Sequence, residues 1–80
     1  MKVAVLTFGI TRDIVGSNTL TMEVPDNCSL SVFKSELYKM YPAMEALKSL
    51  AFAINEVYAQ EQSTLAENDT IALIPPVSGG

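Results

Sequence analysis

The chain has 80 residues, enough for one small domain with a modest core and too few for a cleft between domains. Hydrophobic residues make up 49% and charged residues 18%, the balance of a globular chain rather than a disordered one. The net charge of −4 argues against nucleic acid as a partner, the absence of His excludes imidazole catalysis and imidazole metal sites, and a lone Cys leaves neither an internal disulfide nor a thiolate metal cluster.

Residues 2–8, Lys-Val-Ala-Val-Leu-Thr-Phe, are short and rich in β-branched side chains, which predicts a strand. Residues 9–18 contain Gly9, Gly16, Ser17 and Asn18 and are expected to form a loop. Residues 19–24 alternate, with Leu20, Met22 and Val24 on one face, so the two strands make an opening hairpin. Pro25-Asp26-Asn27 ends the second strand, and Ser29 follows as an expected N-cap. Leu30, Phe33, Leu37, Met40 and Tyr41 recur at helical spacing, with Met22, Met40 and Met44 expected to fill the core. Pro42 stops this helix and opens a short second helical turn over 43–47. Residues 51–54 predict a third strand, Asn55-Glu56 a turn, and 57–59 a short fourth strand. Residues 60–68 read as a polar loop with Leu65 as its anchor, and Asn68-Asp69 as a tight turn in which Asn accepts the left-handed conformation. Residues 70–74 form the last strand, ended by Pro75-Pro76.

The order strand, strand, helix, strand, short strand, strand describes an α+β roll. The expected fold is a ubiquitin-like β-grasp: a mixed sheet of about five strands, one main helix and a short second helix, with the first and last strands parallel neighbours. The whole chain, 1–80, would be one domain, with 75–80 an extended tail. Pro75 and Pro76 stiffen the exit, and the six residues from Pro75 to Gly80 reach ~20 Å when extended. Gly79 and Gly80 lack a Cβ, so their backbone fits a channel closed to other residues. The reacting group would be the carboxylate of Gly80. A free carboxylate is a poor acyl donor. Adenylation supplies a leaving group that sulfur can replace. Taken alone, a terminal Gly-Gly is more often frayed chain.

Several segments together resemble the MoaD/ThiS sulfur carriers, and within them the small, sulfur-carrying subunits of molybdopterin synthase. They are Lys2-Val3, Phe8, Arg12-Asp13-Ile14-Val15-Gly16, Ala53-Ile54-Asn55, Asp69 and, most specific, Ile74-Pro75-Pro76-Val77-Ser78-Gly79-Gly80. The chain departs from the usual pattern at Asp13, where Glu is commoner, at Asn68, where Gly is commoner, and at Leu73 or Ile74, where many members are aromatic. The resemblance implies a non-catalytic subunit that binds no cofactor itself. A ubiquitin-activating-type adenylyltransferase would spend ATP on Gly80, and a sulfurtransferase or cysteine desulfurase would supply sulfur. The thiocarboxylated tail would then enter the large catalytic subunit, two carriers per large-subunit dimer in a heterotetramer, and give its sulfur to the dithiolene of molybdopterin. Phe8, Arg12, Ile74, Pro75, Pro76, Val77, Ser78 and Gly79 would contact partners. Carriers for thiamine or tRNA thiolation, a ubiquitin-like modifier and an inert interaction module are the competing readings.

Both faces of the first and last strands are apolar: Val3 and Val5 oppose Ala4, Leu6 and Phe8, and Ile71 and Leu73 oppose Ala72 and Ile74. One helix covers one face. The other is either a partner surface or lies under loop 9–18 or 59–68. Arg12 is either a partner contact or a solvated loop arginine. Cys28, just before the N-cap, is expected to be an inert structural thiol. The longest apolar runs fall far short of the ~20 residues that span a membrane, and Thr7, Gly9, Arg12 and Asp13 interrupt any signal peptide, so the expected location is the cytoplasm.

Overall fold

A computed structural model describes residues 1–47 and 49–76. The elements are β1 (Lys2–Thr7), α1 (Ile10–Val15), β2 (Thr19–Glu23), α2 (Leu30–Met40), α3 (Pro42–Glu45), β3 (Ala51–Ile54), β4 (Val57–Tyr58) and β5 (Thr70–Ile74). They form a five-stranded sheet in the order β2-β1-β5-β3-β4. β1 and β5 are parallel, and the other neighbours are antiparallel. This is the expected β-grasp.

The core lies between one sheet face and α2. Val3, Val5, Met22, Phe52, Ile71 and Leu73 from the sheet meet Leu30, Phe33 and Leu37 from the helix, all buried. Phe33 and Phe52 join the layers edge to face, with ring centroids 6.3 Å apart. Ser29 caps α2, its hydroxyl accepting from the Val32 N–H at 3.3 Å. Tyr41, driven to φ −134° by the proline that follows, ends α2, and Pro42 opens α3 as its first residue.

Three expectations need correction. Residues 9–18 are not all loop: Ile10–Val15 is a helix bracketed by Gly9 and by Gly16, whose φ of 83° makes a left-handed C-cap. At six residues it is too short for a periodic signal, and it is held by packing of Thr11, Ile14 and Val15 rather than by propensity. β1 ends at Thr7, because the Phe8 N–H donates to Thr11 Oγ1 at 2.8 Å instead of to a strand. Met40 is not a core filler. It is exposed at the end of α2, where Tyr41, one helical repeat beyond Leu37, takes the inward position.

Loop 59–68 packs on the helix side. Leu65 is fully buried in the core, and the Leu30 N–H donates to the Ser63 carbonyl at 2.8 Å. Ile14 and Val15 of α1 also pack towards the core. Neither segment covers the second sheet face, which stays open among the described residues.

Candidate functional site

The open face is assembled by strand register. Leu6 on β1 lies opposite Ala72 on β5, which lies opposite Ala53 on β3, which lies opposite Tyr58 on β4. Directly opposed residues share a face, so these four form one apolar row across the sheet. One step beyond the Thr7–Leu73 pair, Phe8 reaches the level of Ile74. Phe8 is 49% exposed and Tyr58 72% exposed, whereas Leu6, Ala72 and Ile74 are half-buried.

Leu6, Phe8, Asn55, Glu56, Thr70 and Ala72 line a groove of about 330 Å³ on this face. The sheet order sets its walls. Leu6 and Phe8 come from the β1 side, Asn55 and Glu56 from the β3–β4 turn, and Thr70 and Ala72 lie between them on β5.

Backbone hydrogen bonds fix Phe8. Thr11 is fully buried, and its hydroxyl accepts from the Phe8 N–H at 2.8 Å while donating to the Phe8 carbonyl at 2.7 Å. The Thr7 hydroxyl donates to the Ser17 carbonyl, and the Thr7 N–H donates to the Asn18 carbonyl at 3.0 Å. Gly9 follows at φ 54°, where a Cβ would stand 3.4 Å from Pro75 Cγ. The start of the tail therefore lies against the turn that carries Phe8. On the far wall, Asn55 Nδ2 donates to Asp69 Oδ1 at 2.9 Å, and the Thr70 N–H donates to Asn55 Oδ1 at 3.0 Å. The other Asp69 oxygen accepts from the Ala66 N–H at 2.7 Å. Asn55 and Asp69 thus tie two turns together at the start of β5.

Of the residues singled out from the sequence, Phe8, Ile74 and Pro75 come together, with Pro76 next to them and exposed. Arg12 does not join them. It is exposed on α1 and lines a separate polar depression of about 440 Å³ with Asp13, Gly16, Ser17 and Asn18. Val77, Ser78, Gly79 and Gly80 lie outside the described residues. Sequence reasoning missed Tyr58 as part of this face, and Thr11 and Gly9 as its supports. An aromatic in a short edge strand was the available signal for Tyr58. Thr11 carried none, because it lay in a segment read as loop.

Electrostatics set the rest of the surface apart. Lys34 Nζ sits 2.6 Å from Glu61 Oε1 and 5.3 Å from the Phe52 ring centroid, and its hydrogen bond to Glu61 raises its pKa. It fastens loop 59–68 to α2 and has no part in the groove. Cys28 is buried, and desolvation pushes its thiol up, against thiolate chemistry. Among the described residues no group of His, Cys, Asp and Glu is placed to hold a metal ion, and no helix is long and apolar enough to cross a membrane.

Comparison with known proteins gives this face a context. The ThiS family model matches residues 5–80, nearly the whole chain. The chain belongs to the ThiS family. A curated relative from Chlamydomonas reinhardtii, the molybdopterin synthase sulfur carrier subunit, is 32% identical over the full length of both chains. The resemblance to the small subunits of molybdopterin synthase, drawn from the sequence, is therefore borne out. Among solved structures, SAMP1 from Haloferax volcanii superposes with a TM-score of 0.88 at 24% identity over all of both chains, which establishes the β-grasp fold. A chain of the complex of subunits 1 and 2 of molybdopterin-converting factor from Helicobacter pylori matches with a TM-score of 0.71 and 26% identity, again over all of both chains. That structure is a protein–protein complex of the two subunits.

Proposed function

We propose that this ThiS-family protein is the sulfur-carrier subunit of a molybdopterin synthase. The observation that carries the reading is an open apolar face, with Phe8 exposed on it, directly beside the point where Pro75 leaves the sheet. The full-length similarity to a molybdopterin synthase sulfur carrier subunit supports it. A surface placed there docks the carrier, and docking delivers the tail.

The chemistry takes place at the Gly80 carboxylate. An adenylyltransferase partner uses ATP to turn a carboxylate oxygen into a phosphoryl leaving group, releasing pyrophosphate. A sulfide-level nucleophile, freed when a thiol reductant cleaves the persulfide of a sulfurtransferase or cysteine desulfurase, then displaces AMP and leaves a thiocarboxylate. The large catalytic subunit accepts the tail, and the sulfur passes towards the dithiolene of molybdopterin. This chain's own part is to dock through the groove face and present the acyl group of Gly80. Among the described residues the only thiol, Cys28, is buried in the core, away from the groove.

The test is the intact mass of the protein after incubation with the activating enzyme, ATP and a sulfur donor. The expected result is a gain equal to sulfur replacing oxygen, lost on deletion of Gly80 and reversed on adding large subunit and precursor. No mass gain with an activating enzyme shown to be active overturns the reading. Higher-mass conjugates through Gly80 in place of a thiocarboxylate would assign a modifier role instead.

A further inference from the structure

The turn between β3 and β4 holds a residue that the groove's apolar character does not explain. Asn55 and Glu56 have φ of 50° and 71°, and they connect the opposed residues Ile54 and Val57. This is a two-residue hairpin turn of the I′ kind, for which Asn followed by Gly is the favoured pair. Asn55 fits its position, since Asn tolerates the left-handed region and its side chain is bonded to Asp69 and Thr70. Glu56 does not. In the left-handed region its Cβ crowds the following carbonyl, a clash that glycine avoids. Among the described residues its carboxylate makes no ion pair and no hydrogen bond that would offset the strain.

Strain of this kind is held by the surrounding structure, here the β3–β4 pairing, and it clusters where chains clamp ligands and partners; Glu56 is exposed at the rim of the groove with a carboxylate free among the described residues. We propose that Glu56 is a specificity-determining residue of the docking face, and that its carboxylate accepts a charge-assisted hydrogen bond from an arginine or lysine of the protein that receives the tail. The proposal rests on the carrier function above and adds to it the chemistry of the contact. Three observations fit a cationic occupant. A carboxylate is an acceptor only. The chain as a whole carries −4, and Asp69 adds a second carboxylate at the same end of β5. The facing wall, Leu6 and Phe8, is apolar and excludes water once covered, which strengthens a charge-assisted bond.

The experiment compares wild type, Glu56→Gln and Glu56→Gly for thermal stability, self-association and affinity for the large subunit of the synthase. Gln keeps the shape and the strain and removes the charge. Gly removes the strain as well. Glu56→Gln should leave Tm unchanged, weaken binding about tenfold at low salt and flatten its salt dependence. Glu56→Gly should raise Tm by about 4 °C and weaken binding as much. Binding of the Gln variant indistinguishable from wild type at every salt concentration overturns the assignment of Glu56 and leaves the carrier function intact. Loss of self-association in the Gln variant, with large-subunit binding unchanged, also overturns it and assigns the carboxylate to a second copy of the chain. A wild-type protein that does not bind the large subunit at all overturns the carrier function, and the role of Glu56 falls with it.

Discussion

Thr11 shows how one side chain sets up a surface. Its hydroxyl closes two hydrogen bonds with the Phe8 backbone from a fully buried position. Thr11→Val keeps the shape and leaves the Phe8 N–H and carbonyl without those partners, so a loss of about 1–3 kcal/mol is expected in urea unfolding. Faster hydrogen exchange confined to the Phe8 amide would locate the effect. Cys28 sets the alkaline limit with Lys34. Burial raises the Cys28 thiol above its ordinary 9.0, so the unfolded chain ionises first and binds fewer protons as pH climbs. Stability should therefore fall from about pH 9 upward on this account, and Cys28→Ala should make the fall shallower, leaving the parts that the raised pKa values of Lys34 and of the Met1 amino group contribute. Lys34, raised above 10.5 by Glu61, contributes stability below that value and loses it as pH rises through its folded pKa. In the folded protein Cys28 should resist alkylation at pH 8 and react only on unfolding. Rapid labelling of native protein would refute the buried-thiol assignment.

At the scale of elements, loop 59–68 behaves as part of the core rather than as a connection. Leu65 fills a fully buried site, and Lys34 with Glu61 closes the loop from outside. Leu65→Ala should cost about 2–5 kcal/mol, a large share of what a domain of this size holds. Breaking the exposed side of the same attachment with Lys34→Met should cost about 1 kcal/mol or less. Equal losses from the two substitutions would contradict this division of labour. Helix α1 is the opposite case: too short to stand alone, it exists because Thr11, Ile14 and Val15 find the core and Gly16 supplies the cap.

For the whole molecule, the asymmetry of the sheet decides which face is covered by the core. Leu30, Phe33, Leu37 and Leu65 are spent on one face, and nothing among the described residues covers the other. Phe8→Ala removes a half-exposed ring that is not in the core cluster, so Tm should change by less than about 4 °C. Affinity for the large subunit should fall by more than about tenfold, as for an aromatic anchor near the centre of an interface. A stability loss as large as that of Leu65→Ala, with binding retained, would make Phe8 structural.

Much of this was legible in the chain itself. Alternation over 19–24, the Leu30–Phe33–Leu37 spacing, Ser29 as a cap and Pro42 as a stop are local rules, and each held because local sterics and burial period act over a few residues. The family resemblance was likewise carried by short runs, above all Ile74 to Gly80. What required the tertiary structure was every choice between two physically equal options. Both faces of β1 and β5 are apolar in sequence, and only the path of α1 and of loop 59–68 leaves one of them open. Arg12 and Phe8 are four residues apart, yet the turn at Gly9 and the helix after it send them to separate depressions. Glu56 looked like an ordinary turn residue, because backbone strain is set by the register of β3 on β4 and leaves no mark on composition.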